Sequence, residues 1–211
     1  VQTCALPIFS SMSNGVITIN SDGEVVTCNK SGLKILNKNI LFFAPNELIK
    51  WRVKTIYSKE PETINWIDSF KKNSVFWDIG ANIGYYSIMA AKFGASAVCA
   101  VEANPDLAER CQRHAEVNGF GAIVRVVPCA LGGAFGTARL YLGSEDLGSS
   151  SIAKPSTDGG FLDVEMRPLL DVVKSSELAA IDAMKIDVEG MESQILKPFF
   201  EVAAPALYPK M

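Results

Sequence analysis

Four carboxylates in this chain each stand where a short apolar run ends. Asp78 follows Val75-Phe76-Trp77, Glu102 follows Ala97 to Val101, and Asp187 and Glu189 follow Met184-Lys185-Ile186. Acids in such places can bind a cation, accept from the hydroxyls of a ribose, or take a proton from a reacting group. Asp78 leads at once into Gly80-Ala81-Asn82-Ile83-Gly84, a spacing that fits a tight turn between a strand and a helix. Gly80 would let the chain turn where a side chain would clash, and Gly84 would let the helix pack close to the sheet. Glu102 comes about 20 residues later, where an acid is expected on a ribose. At the last strand end, Lys185 joins three carboxylates, Asp187, Glu189 and Glu192.

The elements that must position these groups alternate strand and helix. Strands are expected over Val75 to Trp77, Ala97 to Val101, Ile123 to Val127 and Met184 to Ile186, and helices after Gly84, from Leu107 to Val117 and from Glu192 to Phe200. In an open parallel sheet, ligands sit at the carboxyl ends of the strands, so Asp187 and Glu189 should converge on the crevice that holds Asp78 and Glu102. The competing reading makes the acids near 187–192 helix caps with one solvated ion pair. Pro128 to Gly133 reads as a turn offering backbone groups and small side chains to a base. Thr137 to Leu142 and Val164 to Met166 read as further strands, Gly143 to Ser151 as a loop, and Pro205 to Tyr208 as the opening of another strand. The only histidine, His114, lies between Arg113 and Glu116 on the helix after Glu102 and reads as solvated.

Ahead of this core, Val16 to Ile19 and Val25 to Cys28 flank Ser21-Asp22-Gly23, a hairpin signal. Ser31 to Phe43 leaves its class open, another strand pair being one reading. Pro45 to Arg52 reads as a helix opening. A helix from Glu62 to Phe70 follows, with Ile64, Ile67 and Phe70 on one face. It leads directly into the first core strand, so its amino end is expected near the nucleotide, which makes Glu62 a cofactor candidate beside its ordinary role as favourable charge in a first helical turn. Cys-Ala-Leu-Pro-Ile at 4–8 looks like translated sequencing adapter, so residues 1–8 are expected to be artefactual. The chain stops at Met211, earlier than a complete doubly wound sheet needs, so a truncated core is expected.

The 211 residues suit one domain of ordinary size, and 48% hydrophobic with 20% charged residues excludes a disordered chain. A net charge of −3 gives no basic footprint, so no nucleic-acid partner is expected. Cys4, Cys28, Cys99, Cys111 and Cys129 make an odd set without metal-ligand spacing, and a reducing cytoplasm is the simplest compartment. No apolar run is long enough to span a bilayer, so no membrane partner is expected.

Two ligands compete for the crevice. A dinucleotide wants glycine where backbone meets pyrophosphate. Here Asn82 stands at the second glycine position, and Asp78 would face the phosphates. Both departures count against NAD and favour S-adenosylmethionine, which carries a sulfonium and an amino-acid end but no phosphate. Asp78 would then serve the ammonium and Glu102 the ribose.

Asp-Ile-Gly-Ala-Asn-Ile-Gly-Tyr-Tyr-Ser, Glu-Ala-Asn-Pro, Ala-Leu-Gly, Gly-Ser-Ser and above all Lys-Ile-Asp-Val-Glu-Gly-Met-Glu resemble, in that order, the FkbM family of class I methyltransferases. Lys59-Glu-Pro-Glu-Thr-Ile64 is similar to its lead-in. The resemblance runs from about Pro45 to the end. It implies an α/β fold with a Rossmann-like, mostly parallel sheet, here the core over 58–211, with residues 1–57 as a hairpin and helix extension. It also implies S-adenosylmethionine as cofactor and methyl transfer to a hydroxyl of a sugar, glycan or secondary metabolite. By matching positions, Asp78, Gly80, Asn82, Gly84, Glu102 and Ala130 would line the cofactor site, and Asp187 and Glu189 would stand at the transfer point. His114 occupies a position where the family commonly has asparagine. No metal site is expected. The alternatives are a domain that binds S-adenosylmethionine without turnover or serves only as an interaction module, and an NAD-dependent oxidoreductase.

Overall fold

The computed structural model describes residues 16–19, 25–28, 40–43, 60–142, 150–152, 160–178 and 180–209. The chain divides into two compact units, Val1–Trp66 and Ile67–Met211. The first holds a three-stranded antiparallel sheet of β1 (Val16–Ile19), β2 (Val25–Cys28) and β3 (Ile40–Phe43), in the order β2-β1-β3. β1 and β2 pair as the β-branched runs on either side of Asp-Gly require, with one register irregularity between Thr18 and Ile19. Their turn, the expected helix at Pro45 to Arg52 and the adapter-like residues 4–8 lie outside the described residues. Only β3 is described within the ambiguous stretch from Ser31 to Phe43, and it pairs antiparallel with β1. Helix α1 (Pro61–Asp68) starts with proline, whose missing N–H costs nothing at a first helical position. It ends two residues before Phe70, whose ring instead meets that of Phe76 at 5.4 Å.

In the second unit β4 (Val75–Ile79), α2 (Tyr85–Phe93), β5 (Ala97–Glu102), α3 (Pro105–Val117) and β6 (Val124–Pro128) follow one another. The chain continues with β7 (Ala130–Gly132), β8 (Gly136–Leu142), β9 (Ser150–Ser151), β10 (Phe161–Pro168), α4 (Leu169–Ser175), β11 (Ala183–Ile186) and α5 (Glu192–Val202). Strands β11-β4-β5-β6 form a wholly parallel sheet. Trp77 and Ile79 of β4, with Cys99 and Val101 of β5, face the apolar side of α4 and α5, including Leu169, Val172, Val173, Ile195 and Phe199. Helices α2 and α3 pack on β4, β5 and β6 as well. Near-continuous apolar strands are what burial on both faces demands. Cys99, Cys111 and Cys129 are buried and free. Burial pushes the thiols of Cys99 and Cys129 up to about 12 and about 11, so they behave as small hydrophobes.

Three readings of the sequence need correction. First, β7 to β10 form a separate four-stranded sheet in the order β7-β10-β8-β9, in which only the β10–β7 pair is parallel. The short strand expected at Val164 to Met166 is the centre of the eight-residue β10, and the turn expected after Val127 contains β7. Second, Pro205–Leu207 is a single 3-10 turn and not a strand. Pro205 opens it, and Tyr208 folds back on α5: its hydroxyl donates to the Phe200 carbonyl at 2.9 Å and its ring meets the Phe200 ring edge-on at 5.0 Å. Third, His114 is fully buried. Of the expected loop from Gly143 to Ser151, residues 143–149 lie outside the described residues and the last two form β9. Among the described residues, no helix is long and apolar enough to cross a membrane.

Candidate functional site

Asp78 is the last residue but one of β4 and is fully buried. Its Oδ2 accepts from the Ser87 hydroxyl of α2 at 2.7 Å, while Oδ1 has no hydrogen-bond partner. Burial raises the pKa of this carboxyl. The positive charge of Lys185 and the Ser87 hydroxyl oppose that rise, and the charge of Asp187 adds to it. A buried acceptor left open is costly unless something else fills it.

The turn after β4 is pinned from three directions. Gly80 and Ala81 donate their amides to the Val101 carbonyl of β5 at 2.9 and 3.0 Å. Asn82 donates its amide to Glu102 Oε2 at 2.7 Å, and its own Oδ1 accepts from the Ile83 amide at 2.9 Å. The Ile83 carbonyl accepts from His114 Nδ1 of α3 at 2.7 Å. Gly80, Asn82 and Gly84 all have positive φ, at 78°, 54° and 87°, a backbone region that glycine and asparagine enter most readily. A Cβ on Gly80 would overlap the carbonyl oxygen of Asp187. A Cβ on Gly84 would sit 2.5 Å from Cys111 Sγ, so its close approach is to α3, and not to the sheet as the sequence suggested.

Glu102 ends β5, with Oε1 accepting from the Asn104 amide at 2.8 Å and Oε2 from Asn82. Each carboxylate oxygen keeps a second lone pair. Burial raises this pKa, the backbone amides of Asn104 and Asn82 pull it back, and the Asp78 charge adds to the rise. The Asp78 charge therefore reaches Glu102 across the carboxyl ends of neighbouring strands. Asn104 caps α3 by accepting from the Asp106 amide at 3.0 Å, which fixes the helix relative to Glu102.

On the other side of β4, Lys185 stands in register with Asp78. Its Nζ lies 3.1 Å from Asp187 Oδ2 and 4.9 Å from the centre of the Tyr86 ring. The Asp187 amide donates to the Ile79 carbonyl at 3.0 Å, and its carboxylate is 60% exposed, available to a molecule arriving from solvent. Glu189 is exposed, in a left-handed turn with φ 55°. Glu192 Oε1 accepts from the Val188 and Gly190 amides at 3.3 Å each, and its backbone hydrogen bonds hold its carboxyl below the usual range. Among the described residues, no three His, Cys, Asp or Glu side chains are arranged to hold a metal ion.

The structure thus brings Asp78, Gly80, Asn82, Gly84, Glu102 and Asp187 to one edge of the parallel sheet. Ala130 opens β7, buried among Ala138, Leu140 and Val164 with Ala103 packed alongside. Glu62 lies in the first turn of α1, in the amino-terminal unit. Sequence reasoning missed Ser87, Tyr86 and His114. Lys185 was visible, two residues from Asp187 and so on the same face of the strand, but only the acids were given roles.

The family described as Methyltransferase FkbM domain matches residues 78–206. The chain is 24% identical over 147 residues to the hexuronic acid methyltransferase AglP of Haloferax volcanii, covering 70% of this chain and 59% of that protein. It is 27% identical over 161 residues to the methyltransferase sdnD of Sordaria araneosa, covering 62% of each. The chain therefore spans about 60% of the length of these two relatives. A precorrin-6Y C5,15-methyltransferase structure from Geobacter metallireducens aligns with a TM-score of 0.42 at 15% identity, covering 72% of this chain and 57% of that one.

Proposed function

Because the chain belongs to the FkbM methyltransferase family, we propose that it uses S-adenosylmethionine to methylate a hydroxyl of a sugar, glycan or secondary metabolite. The observation that carries this reading is the open acceptor of Asp78, buried beside Glu102 at the carboxyl edge of the sheet. The ammonium of an amino-acid group would satisfy Asp78 Oδ1, and ribose hydroxyls would satisfy the remaining lone pairs of Glu102. The residues present therefore fit the cofactor. Asp78, Gly80, Asn82, Gly84 and Glu102 would hold it, with Ala130 beyond β6. A pyrophosphate fits poorly beside the buried Asp78 carboxylate and with Asn82 at the second glycine position, which ranks an NAD-dependent oxidoreductase below this reading.

When bound, the cofactor supplies an electrophilic methyl group on a cationic sulfur. What falls to the chain is to hold the acceptor oxygen in line and to take its proton. Alignment carries most of the acceleration in a displacement of this kind. Asp187, exposed and oriented by Lys185, is the group assigned to the proton, a contribution of roughly 10²–10⁴-fold. Glu189 is assigned to the acceptor side. The relative that acts on hexuronic acid makes uronic acids and their glycans the first acceptors to try.

Calorimetric titration with S-adenosylmethionine and with NADH, followed by labelled-methyl transfer to a panel of such acceptors, tests the proposal. Binding of the first ligand and transfer of label are expected. Binding without transfer to any of them would point to a cofactor-binding domain without turnover, and NADH binding alone would overturn the reading. Asp187→Ala should abolish transfer while weakening cofactor binding far less; turnover at the parental rate would remove Asp187 from its role.

A further inference from the structure

We infer that His114 is a positioning residue: by donating to the Ile83 carbonyl it fixes the Gly80–Gly84 turn in the shape that receives the cofactor, and so sets cofactor affinity. The inference rests on the cofactor reading above. A carbonyl can only accept, so Nδ1 must carry the proton and the tautomer is set by this bond. The ring is fully buried, on the same face of α3 as Leu107 and Cys111. Within the turn, the amide entering Asn82 is held by Glu102 and the carbonyl leaving Ile83 by His114. The two residues between them are therefore pinned at both ends. One of those residues, Asn82, has left-handed backbone geometry, so the turn needs outside contacts to keep its shape.

Both pins trace to α3. Asn104 caps the helix and its amide holds Glu102 Oε1, while His114 lies near the helix's other end. The helix thus acts as a rigid spacer between the acid assigned to the ribose and the loop assigned to the rest of the cofactor. Without the imidazole, a buried carbonyl loses its donor and the loop becomes free to sample other shapes, only some of which bind.

The test compares His114→Leu, which fills space without a donor, with His114→Asn, whose amide nitrogen falls where Nδ1 stood. Titration with S-adenosylmethionine, hydrogen exchange at the amides of residues 82–84, and steady-state kinetics are the readouts. H114L should weaken cofactor binding roughly tenfold, the loss of one ordinary hydrogen bond, raise KM for the cofactor with kcat nearly kept, and speed exchange at 82–84. H114N should restore all three. If H114L does not fold, His114→Gln takes its place, since its amide nitrogen lies one bond too far out. Equal cofactor affinity in H114L and H114N would overturn the inference, as would exchange raised evenly across α3 and the sheet. If the parent protein binds no cofactor while exchange at 82–84 still rises in H114L and is restored in H114N, the turn-fixing role stands and the cofactor reading falls.

Discussion

A carboxyl group buried as Asp78 is carries its charge at a cost to folding. Its pKa is raised in the folded chain, so the folded state binds a proton more readily than the unfolded one. The sign follows: stability is greatest below the unfolded pKa and declines as pH rises through the folded one. Asp78→Asn should therefore melt at a higher temperature than the parent at neutral pH, with the gain shrinking in acid. The same change should weaken cofactor binding by about 10- to 100-fold, the range for a hydrogen bond to a charged group. Melting curves across pH, paired with titrations, check both halves. A variant no more stable than its parent at neutral pH would contradict the first. Asp78 and Glu102 were legible in the sequence because an acid at the end of an apolar strand has few structural reasons to be there. His114 was not, because its charged neighbours Arg113 and Glu116 suggested a solvated face. The signal that would have found it is the stripe Leu107, Cys111, His114, at the i, i+4, i+7 spacing of a buried helical face.

The junction of α2 with α3 depends on the absence of one side chain. Gly84 carries φ 87°, and a methyl group there would press on Cys111 Sγ. Gly84→Ala should cost about 1–3 kcal/mol from backbone geometry alone, with the clash added. Cys111→Ala should recover part of the added loss, giving a coupling of about 0.5–3 kcal/mol in a double-mutant cycle followed by denaturant unfolding. Strict additivity would mean that the sulfur is not what Gly84 avoids. The strands and helices on either side of this junction could be placed from glycine, proline and apolar spacing. The sheet formed by β7 to β10 could not be assigned as a separate sheet, because its partners lie far apart in the chain: Ala130 pairs with Met166, and Gly136 with the same residue from the other side. Local pattern identifies a strand but not its neighbour. Pro205 misled for a related reason: apolar residues after a proline suit a strand, but here Tyr208 has the carboxyl end of α5 to pack against.

Across the whole molecule, the candidate site is assembled from residues 78 to 187, brought together because β11 inserts beside β4 rather than beside β6. Asp182 helps fix that insertion, its Oδ2 accepting from the Val75 amide at 2.9 Å. A ligand held by groups on several strands stabilises only the folded arrangement. At 100 times its dissociation constant, S-adenosylmethionine should add about 2.7 kcal/mol, which for a chain of this size raises Tm by roughly 5–11 °C. No shift at saturating cofactor would contradict the proposed ligand. The parallel sheet was legible as a whole because its central strands β4 and β5 are buried on both faces and its ends carry the charge. One further consequence lies in the contact between Gly80 and the backbone of Asp187. On the proposed reading, the donor chamber and the acceptor mouth share a party wall a single peptide thick. Adapting such a protein to a new acceptor can change what projects from that wall at 189, but cannot shift the masonry itself without breaching the donor's room.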